Sequence, residues 1–323
     1  MFATAPEPGH LEGIVVSGDI VFSGTTGAAA AFATGAKSQS SLFAFDRATG
    51  ALRSRLSIEG ERLEPAAPLN GISGLAVDAA GRLYAADIQG RILRFDLAGD
   101  GARQDVYAVI PDLQSPADRP STLDARTPLP NGIVFDTAGN LYVTDSWQAA
   151  IFRVPPGGGP AQVWFRSERL AGLFGANGIR VGPDGSSMYV AVTRDHVETS
   201  WIFRLPLDDR PRAEDLDVVT SWPPRERLLP PAGPDGIAFG ASGLLYVVLA
   251  GDEEIAAIDL TTGAERRFAS PLLHNPASLA FDDENRRLLV TNHAFFDDDP
   301  SHWTVVDLYV DDREAPLARP VVP

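Results

Sequence analysis

The chain has no cysteine. That excludes a disulfide framework, a thiolate nucleophile, a thiolate zinc site and an iron–sulfur cluster. It lacks an apolar run of roughly 18 residues, so no membrane-spanning helix is expected and no membrane partner is implied. No Asn-x-Ser/Thr acceptor for N-glycosylation occurs. The opening residues, Met1-Phe2-Ala3-Thr4-Ala5-Pro6, carry neither the basic stretch nor the apolar stretch of a leader. A cytoplasmic location is therefore the expectation, with an exported mature chain as the alternative. Positive charge is also short: 27 basic against 43 acidic side chains leave a net charge of −16. That excludes a nucleic-acid partner, which needs a basic face, and suits a protein that gathers cations and acts on a small molecule.

Turn formers, by contrast, are abundant. There are 30 Gly and 26 Pro among 323 residues, which suits a fold built from many turns rather than from helices. A hydrophobic fraction of 44% is ample for a large core. Length alone would allow two domains. No window shows sustained helical periodicity free of Gly and Pro.

A repeat resolves the organisation. Ser73-Gly74-Leu75-Ala76-Val77-Asp78-Ala79-Ala80-Gly81-Arg82-Leu83-Tyr84 recurs as Asn131-Gly132-Ile133-Val134-Phe135-Asp136-Thr137-Ala138-Gly139-Asn140-Leu141-Tyr142. Further copies open at Asn177-Gly178-Ile179 and Asp235-Gly236-Ile237, with divergent ones at Glu12-Gly13-Ile14 and Ala277-Ser278-Leu279. Each copy reads as a strand, a tight turn and a second strand of Leu-Tyr-Val character. A third strand follows most copies, as in Gly90–Asp96, Ala150–Val154, Trp201–Leu205 and Ile255–Leu260. Four strands at a period of about 40–60 residues mark a β-propeller blade. The expectation is an all-β, six-bladed β-propeller forming a single domain over residues 1–323. A tandem of β-sandwiches explains the strands but not the shared opening motif. The Pro-rich stretch from Pro111 to Pro130 reads as a loop over a binding face. The segment from Ser301 to Val310 reads as a last strand that helps close the ring.

The position before the repeat's Gly holds Glu12, Ser73, Asn131, Asn177, Asp235 and Ala277. In a propeller, the starts of the innermost strands converge at one mouth of the central tunnel. Two carboxylates and two carboxamides there form a set of hard oxygen donors without His or Cys. Such donors suit Ca²⁺, which takes six to eight oxygens at about 2.3–2.6 Å. Their combined charge of −2 matches a divalent cation, although Mg²⁺, Mn²⁺ or Zn²⁺ could also enter an oxygen site. One Asn-Gly or Asp-Gly is an ordinary turn. Four oxygen donors at one register of four blades form a pattern that turns alone do not produce.

These motifs, Leu11-Glu12-Gly13, Pro130-Asn131-Gly132-Ile133, Ala176-Asn177-Gly178-Ile179 and Pro234-Asp235-Gly236-Ile237, resemble those of the senescence-marker protein/gluconolactonase/regucalcin group. That group lies among the calcium-dependent six-bladed propellers that include paraoxonases and diisopropylfluorophosphatase. The resemblance covers nearly the whole chain. It implies that Glu12, Asn177 and Asp235 hold a catalytic metal, and that Asn131 either holds it or contacts substrate. It also implies hydrolysis of lactones or organophosphates. Gly13 and Gly132 stand where the paraoxonase type has acidic residues, which puts a second, structural metal in doubt. Strictosidine-synthase-like propellers, which form carbon–carbon bonds without a metal, are the alternative branch.

With a metal polarising the substrate carbonyl, water still needs a base. The candidates are Asp235 and His274, which lies three residues before Ala277. His293 could line the same face, and His10 could support Glu12. His196 and His302 read as loop residues, and Asp297-Asp298-Asp299 as a solvated turn. Ser73, Trp147, Phe174 and Phe296 are candidates to contact or wall in the substrate. Motifs for serine-hydrolase elbows, metalloprotease helices and phosphate loops are absent. Two classes remain: a metal-dependent lactone or ester hydrolase, and a non-hydrolytic synthase, lyase, isomerase or binding propeller. Organophosphate hydrolysis belongs to the first class.

Overall fold

The computed structural model describes residues 1–27, 37–64, 69–97, 102–113, 127–223, 233–294, 297 and 299–323. Each copy of the repeat forms the two innermost strands of an antiparallel sheet. Blade 1 comprises Leu11–Ser17, Ile20–Thr25, Ser41–Asp46 and Leu52–Ser57. Blade 2 comprises Ile72–Val77, Leu83–Asp87, Arg91–Asp96 and Arg103–Val109, to whose outer edge the short strand Gly159–Pro160 adds in parallel. Blade 3 comprises Pro130–Phe135, Leu141–Asp145, Ala150–Val154 and Gln162–Arg166. Blade 4 comprises Phe174–Val181, Ser187–Arg194, Ser200–Pro206 and Asp217–Trp222. Blade 5 comprises Pro234–Phe239, Leu244–Leu249, Glu254–Asp259 and Glu265–Ala269. Blade 6 comprises Pro276–Asp282, Arg287–Asn292 and Thr304–Tyr309, and its outermost strand is Ala3–Thr4 from the other end of the chain. The innermost strands touch in cyclic order, the sixth returning to the first, which makes a six-bladed β-propeller.

The expected last strand, Thr304–Tyr309, helps to close the ring by pairing with the N-terminal strand, Ala3 opposite Val305 and Thr4 opposite Thr304. Edge strands such as Leu52–Ser57 face solvent, whereas second strands such as Leu83–Asp87 are buried throughout. The core therefore lies between blades, as six clusters, one at each blade–blade contact. No helix among the described residues is long and apolar enough to cross a membrane.

The packing explains the repeat. The Tyr of one blade's second strand meets the Phe of the next blade's inner strand edge-on: Tyr84 with Phe135 at 4.9 Å, Tyr189 with Phe239 at 4.9 Å and Tyr246 with Phe281 at 5.3 Å. Each such pair adds about 0.5–1.5 kcal/mol beyond its burial. The Asp of the turn serves both turn and Tyr. Asp78 accepts from the Ala80 and Arg82 amides at 2.9 Å and from the Tyr84 hydroxyl at 3.1 Å. Blade 5 has Gly240 where that Asp would stand, and Asp312 of the C-terminal segment accepts from the Tyr246 hydroxyl instead, at 3.1 Å. A Cβ on Gly240 would lie 2.0 Å from the Asp312 carboxylate.

From there the C-terminal segment runs across the end of the tunnel opposite the repeat's opening motif. Glu314, Leu317, Ala318 and Arg319 line that end, Arg319 donates to the Val16 carbonyl at 2.9 Å, and the Ala79 amide donates to Pro320 at 2.9 Å. The tunnel is thereby covered on one side, and the site faces the other.

Candidate metal centre and cavity

Every inner strand opens with the same irregularity. The ladder slips between Leu11 and Ile14, Ile72 and Leu75, Pro130 and Ile133, Ala176 and Ile179, Pro234 and Ile237, and Pro276 and Leu279. A bulge re-aims the residue it frees. Here the freed residues are Glu12, Ser73, Asn131, Asn177, Asp235 and Ala277. All but Ala277 line both the upper cavity and the tunnel neck beneath it. The following glycine lets the next blade press against the bulge. A Cβ would stand 1.8 Å from the Ser73 carbonyl oxygen at Gly13, 2.4 Å from that of Asn131 at Gly74, 2.6 Å from that of Asn177 at Gly132 and 2.2 Å from that of Asp235 at Gly178. The X-Gly motif is thus a packing requirement that also delivers X to the axis.

Hydroxyls on the second strands brace the ring. Thr144 donates to the Asn177 carbonyl at 2.6 Å, Thr193 to Pro234 at 2.8 Å and Thr291 to Glu12 at 2.6 Å. The two carboxamides are fixed through their nitrogens: Asn131 Nδ2 donates to Ser146 at 3.1 Å and Asn177 Nδ2 to Thr193 at 2.9 Å. With the nitrogens engaged, the side-chain oxygens are the groups left for a ligand. Ser73 donates to the Pro130 carbonyl at 2.9 Å and to that of Asn131 at 3.2 Å, so its hydroxyl positions the Asn131 backbone.

The electrostatics fit a cation. Burial, reinforced by the nearby Asp235 carboxylate, raises the Glu12 carboxyl well above its usual range. Burial pushes Asp235 up to about 7, against a hydrogen bond from Asn177. Among the described residues, no lysine or arginine pairs with either carboxylate. Two buried like charges without a counter-ion cost several kcal/mol unless they are protonated or bind a cation. An all-oxygen donor set suits a hard divalent ion. Beneath it, the half-buried Arg180 guanidinium lines the neck, offset by Glu314 beyond it. That fixed positive charge opposes a second cation deeper in the tunnel.

The structure separates the two histidine candidates. His293 lines the cavity, with Nε2 3.4 Å from the Glu12 carboxylate and 2.5 Å from the Thr26 hydroxyl. Burial, and after it the neighbouring His10, holds the His293 imidazole down at about 3, so it is neutral at physiological pH. His10 supports it by donating from Nδ1 to the His293 carbonyl at 3.0 Å, while its own ring lies 5.2 Å from Trp303. His274 is placed elsewhere. Its ring stacks on His302 at 3.6 Å, beside Asp297, and it is not among the residues lining the cavity. Its backbone still serves the rim, because its carbonyl accepts from Ala294 at 3.0 Å.

The cavity above the donors has a volume of about 700 Å³ including its open mouth. Phe174 lines it, as expected. Trp147 is not among the lining residues but packs against Ile88 and Leu129, as Leu69 does, and those three residues line the cavity. Phe296 and most of the Pro111–Pro130 loop lie outside the described residues. Sequence reasoning missed Thr26, Thr193, Asn275, Leu69, Ile88 and Leu129. Thr193 carried a signal, since Thr144 and Thr291 occur at similar distances from their own opening motifs; the others carried none.

Residues 167–294 match the SMP-30/Gluconolactonase/LRE-like region, and residues 74–95 match the strictosidine synthase-like N-terminal region. No curated protein matches the chain. Among solved structures, the chain is similar to a calcium-binding protein, regucalcin, from Agrobacterium tumefaciens, at 20% identity over 98% of each chain and a TM-score of 0.64. It is also similar to a gluconolactonase from Xanthomonas campestris, at 19% identity over 88% of this chain and 83% of that one, with a TM-score of 0.57. A virginiamycin B lyase from Staphylococcus aureus, solved with quinupristin, shares 15% identity over 95% of this chain and 87% of that one, with a TM-score of 0.52. At these identities the solved structures speak to the propeller fold.

Proposed function

We propose that this chain, an SMP-30/gluconolactonase-like propeller, is a hydrolase of lactones or related esters that depends on a divalent metal, with Ca²⁺ as the metal its donors favour. The observation that carries the reading is the set of four oxygen donors, Glu12, Asn131, Asn177 and Asp235, at one bulge register around one tunnel. Two of them are half-buried carboxylates, both raised by desolvation, that a cation would neutralise. A bound Ca²⁺ would act as a Lewis acid on the scissile carbonyl and stabilise the oxyanion that forms there.

The remaining steps fall to the chain's own residues. Asn131 and Asn177 present oxygens whose orientation is set by Ser146 and Thr193. Asp235 has two carboxylate oxygens, one for the cation and one to take a proton from the attacking water. His293, neutral and joined to Thr26, orients that water from the Glu12 side. We assign this role to His293 rather than His274, because His293 lines the cavity. The Arg180 charge in the neck supports a single cation rather than two.

The match of residues 74–95 to strictosidine synthase-like proteins favours a second reading, a non-hydrolytic synthase or lyase on the same scaffold. One experiment separates the two. The protein is stripped with a chelator, reloaded with Ca²⁺, and assayed on lactones, aryl esters and organophosphates. Hydrolysis that vanishes on stripping and returns with Ca²⁺ supports the hydrolase. Absence of turnover in every metal-loaded sample overturns it.

A further inference from the structure

We infer that the substrate is an ester or lactone with an apolar body, alkyl or aryl, rather than a polyhydroxylated sugar lactone; the inference rests on the hydrolase reading above. The described cavity is divided by chemistry. Its floor is polar and carries the four donors. Its walls are Leu69, Ile88, Leu129, Phe174, Ala250 and Pro276, with Trp147 packed against Ile88 and Leu129. No lysine or arginine is among the described residues that line it.

The polar side chains above the floor are already occupied. The Ser73 hydroxyl is spent on backbone carbonyls, Thr193 lies between Asn177 and the Pro234 carbonyl, and Thr26 is engaged with His293. A sugar lactone brings several hydroxyl donors into this space, and among the described residues the side chains of those walls offer them no acceptor.

Asn275 is the remaining polar side chain above the floor among the described lining residues. It is 9% exposed, lines the cavity, and its side-chain Nδ2 has no hydrogen-bond partner among the described residues. That nitrogen is closed off from the open space, so it does not donate into the cavity as the side chain stands. Its backbone is held in place: φ is +45°, a conformation Asn tolerates, and its carbonyl accepts from His293 at 3.1 Å. An ester has oxygen acceptors and no donors. The described walls therefore suit the carbon skeleton of an ester, with its oxygen acceptors turned to the cation donors on the floor.

The test uses the Ca²⁺-loaded full chain and a δ-lactone series, from δ-valerolactone to δ-decalactone, beside glucono-1,5-lactone. Burial of one methylene lowers KM by about fourfold, so kcat/KM should climb by about that factor per carbon until the cavity is filled. Glucono-1,5-lactone should fall below δ-valerolactone. Leu129→Ser should flatten the climb. A flat or falling series, or a preference for glucono-1,5-lactone, overturns the inference and leaves the hydrolase intact.

If no lactone is turned over, the hydrolase reading fails, and binding decides the inference. Calorimetry with non-hydrolysable 2-alkylcyclohexanones should then show affinity rising with chain length and a negative heat-capacity change. Affinity independent of chain length overturns it.

Discussion

Relative to the double variant Glu12→Gln, Asp235→Asn, the apo protein should lose stability as the pH rises from 4 to 8, and this difference can be worked from two side chains; His293, held at about 3 in the fold, shifts the whole profile the other way up to about pH 6.5 and is carried by both proteins. In the fold, Asp235 is raised from an ordinary 3.8 to about 7 by burial. Below 3.8 it is protonated both folded and unfolded, and contributes no difference. Between there and about 7 the unfolded chain gives up the proton while the folded chain keeps it. The folded state is thus penalised progressively, and fully so above about 7. The gap between 3.8 and about 7, at roughly 1.36 kcal/mol per pH unit, is about 4 kcal/mol. Glu12 shifts in the same direction and adds to it.

A loss of this size lowers the melting midpoint by roughly 8 °C, taking about 2 °C per kcal/mol for a chain of this length. Ca²⁺ at about a thousand times its dissociation constant returns about 4 kcal/mol, so at pH 8 the loaded wild type should lie about that much above the chelated wild type. The assay is thermal or urea unfolding at pH 5, 6, 7 and 8, in chelator and in Ca²⁺. The double variant Glu12→Gln, Asp235→Asn serves as the control for all other titrating groups. Identical pH profiles for the chelated wild type and the chelated double variant would falsify the claim that these carboxylates are buried against each other.

Other expectations follow from single contacts. Gly178→Ala puts a methyl 2.2 Å from the Asp235 carbonyl oxygen, a backbone contact that no rotamer relieves, and should cost about 3 kcal/mol in urea unfolding and weaken Ca²⁺ binding as well. His293→Gln should lower kcat on any hydrolysed lactone by about 100-fold while Ca²⁺ binding measured by calorimetry persists, whereas His274→Ala should leave both unchanged. Deleting residues 1–5 removes the outermost strand of blade 6, with hydrogen bonds from the Phe2 amide to Val305 at 2.9 Å and from the Ala5 amide to Trp303 at 2.8 Å. That should cost about 3 kcal/mol of stability by the same urea assay.

Much of this architecture is legible in the sequence because one local motif answers two constraints. X-Gly-Ile recurs because the glycine must admit the next blade's carbonyl, as at Gly13, Gly74, Gly132 and Gly178. Since the same bulge turns X toward the axis, reading the glycines also reads the donors. The Asp and Tyr of the turn are legible for a similar reason, being bound to each other at Asp78 and Tyr84.

What was not legible depends on chain segments distant in sequence. Nothing in Ala3–Thr4 announces the outer strand of blade 6, since two residues carry no periodicity. Asp312 stands in for a missing turn Asp across 66 residues of chain. His274 sits close to Ala277 in sequence, but the left-handed turn at Asn275 separates its ring from the tunnel, and His302 offers it a stacking partner. His293 follows a strand end with no pattern to mark it, and only the fold brings it to Glu12. The cavity walls share this property: Leu69, Ile88, Leu129 and Phe174 look like ordinary core residues until the ring sets them around one opening.

The account turns on a cation held by Glu12, Asn131, Asn177 and Asp235, and equilibrium calcium binding measures it most directly. Calorimetric titration of the stripped protein at pH 8 should give one Ca²⁺ per chain in the wild type. It should give no detectable binding in Asp235→Ala, and an affinity weakened about 10- to 100-fold in Asn177→Ala. Equal stoichiometry and affinity in all three proteins would contradict it.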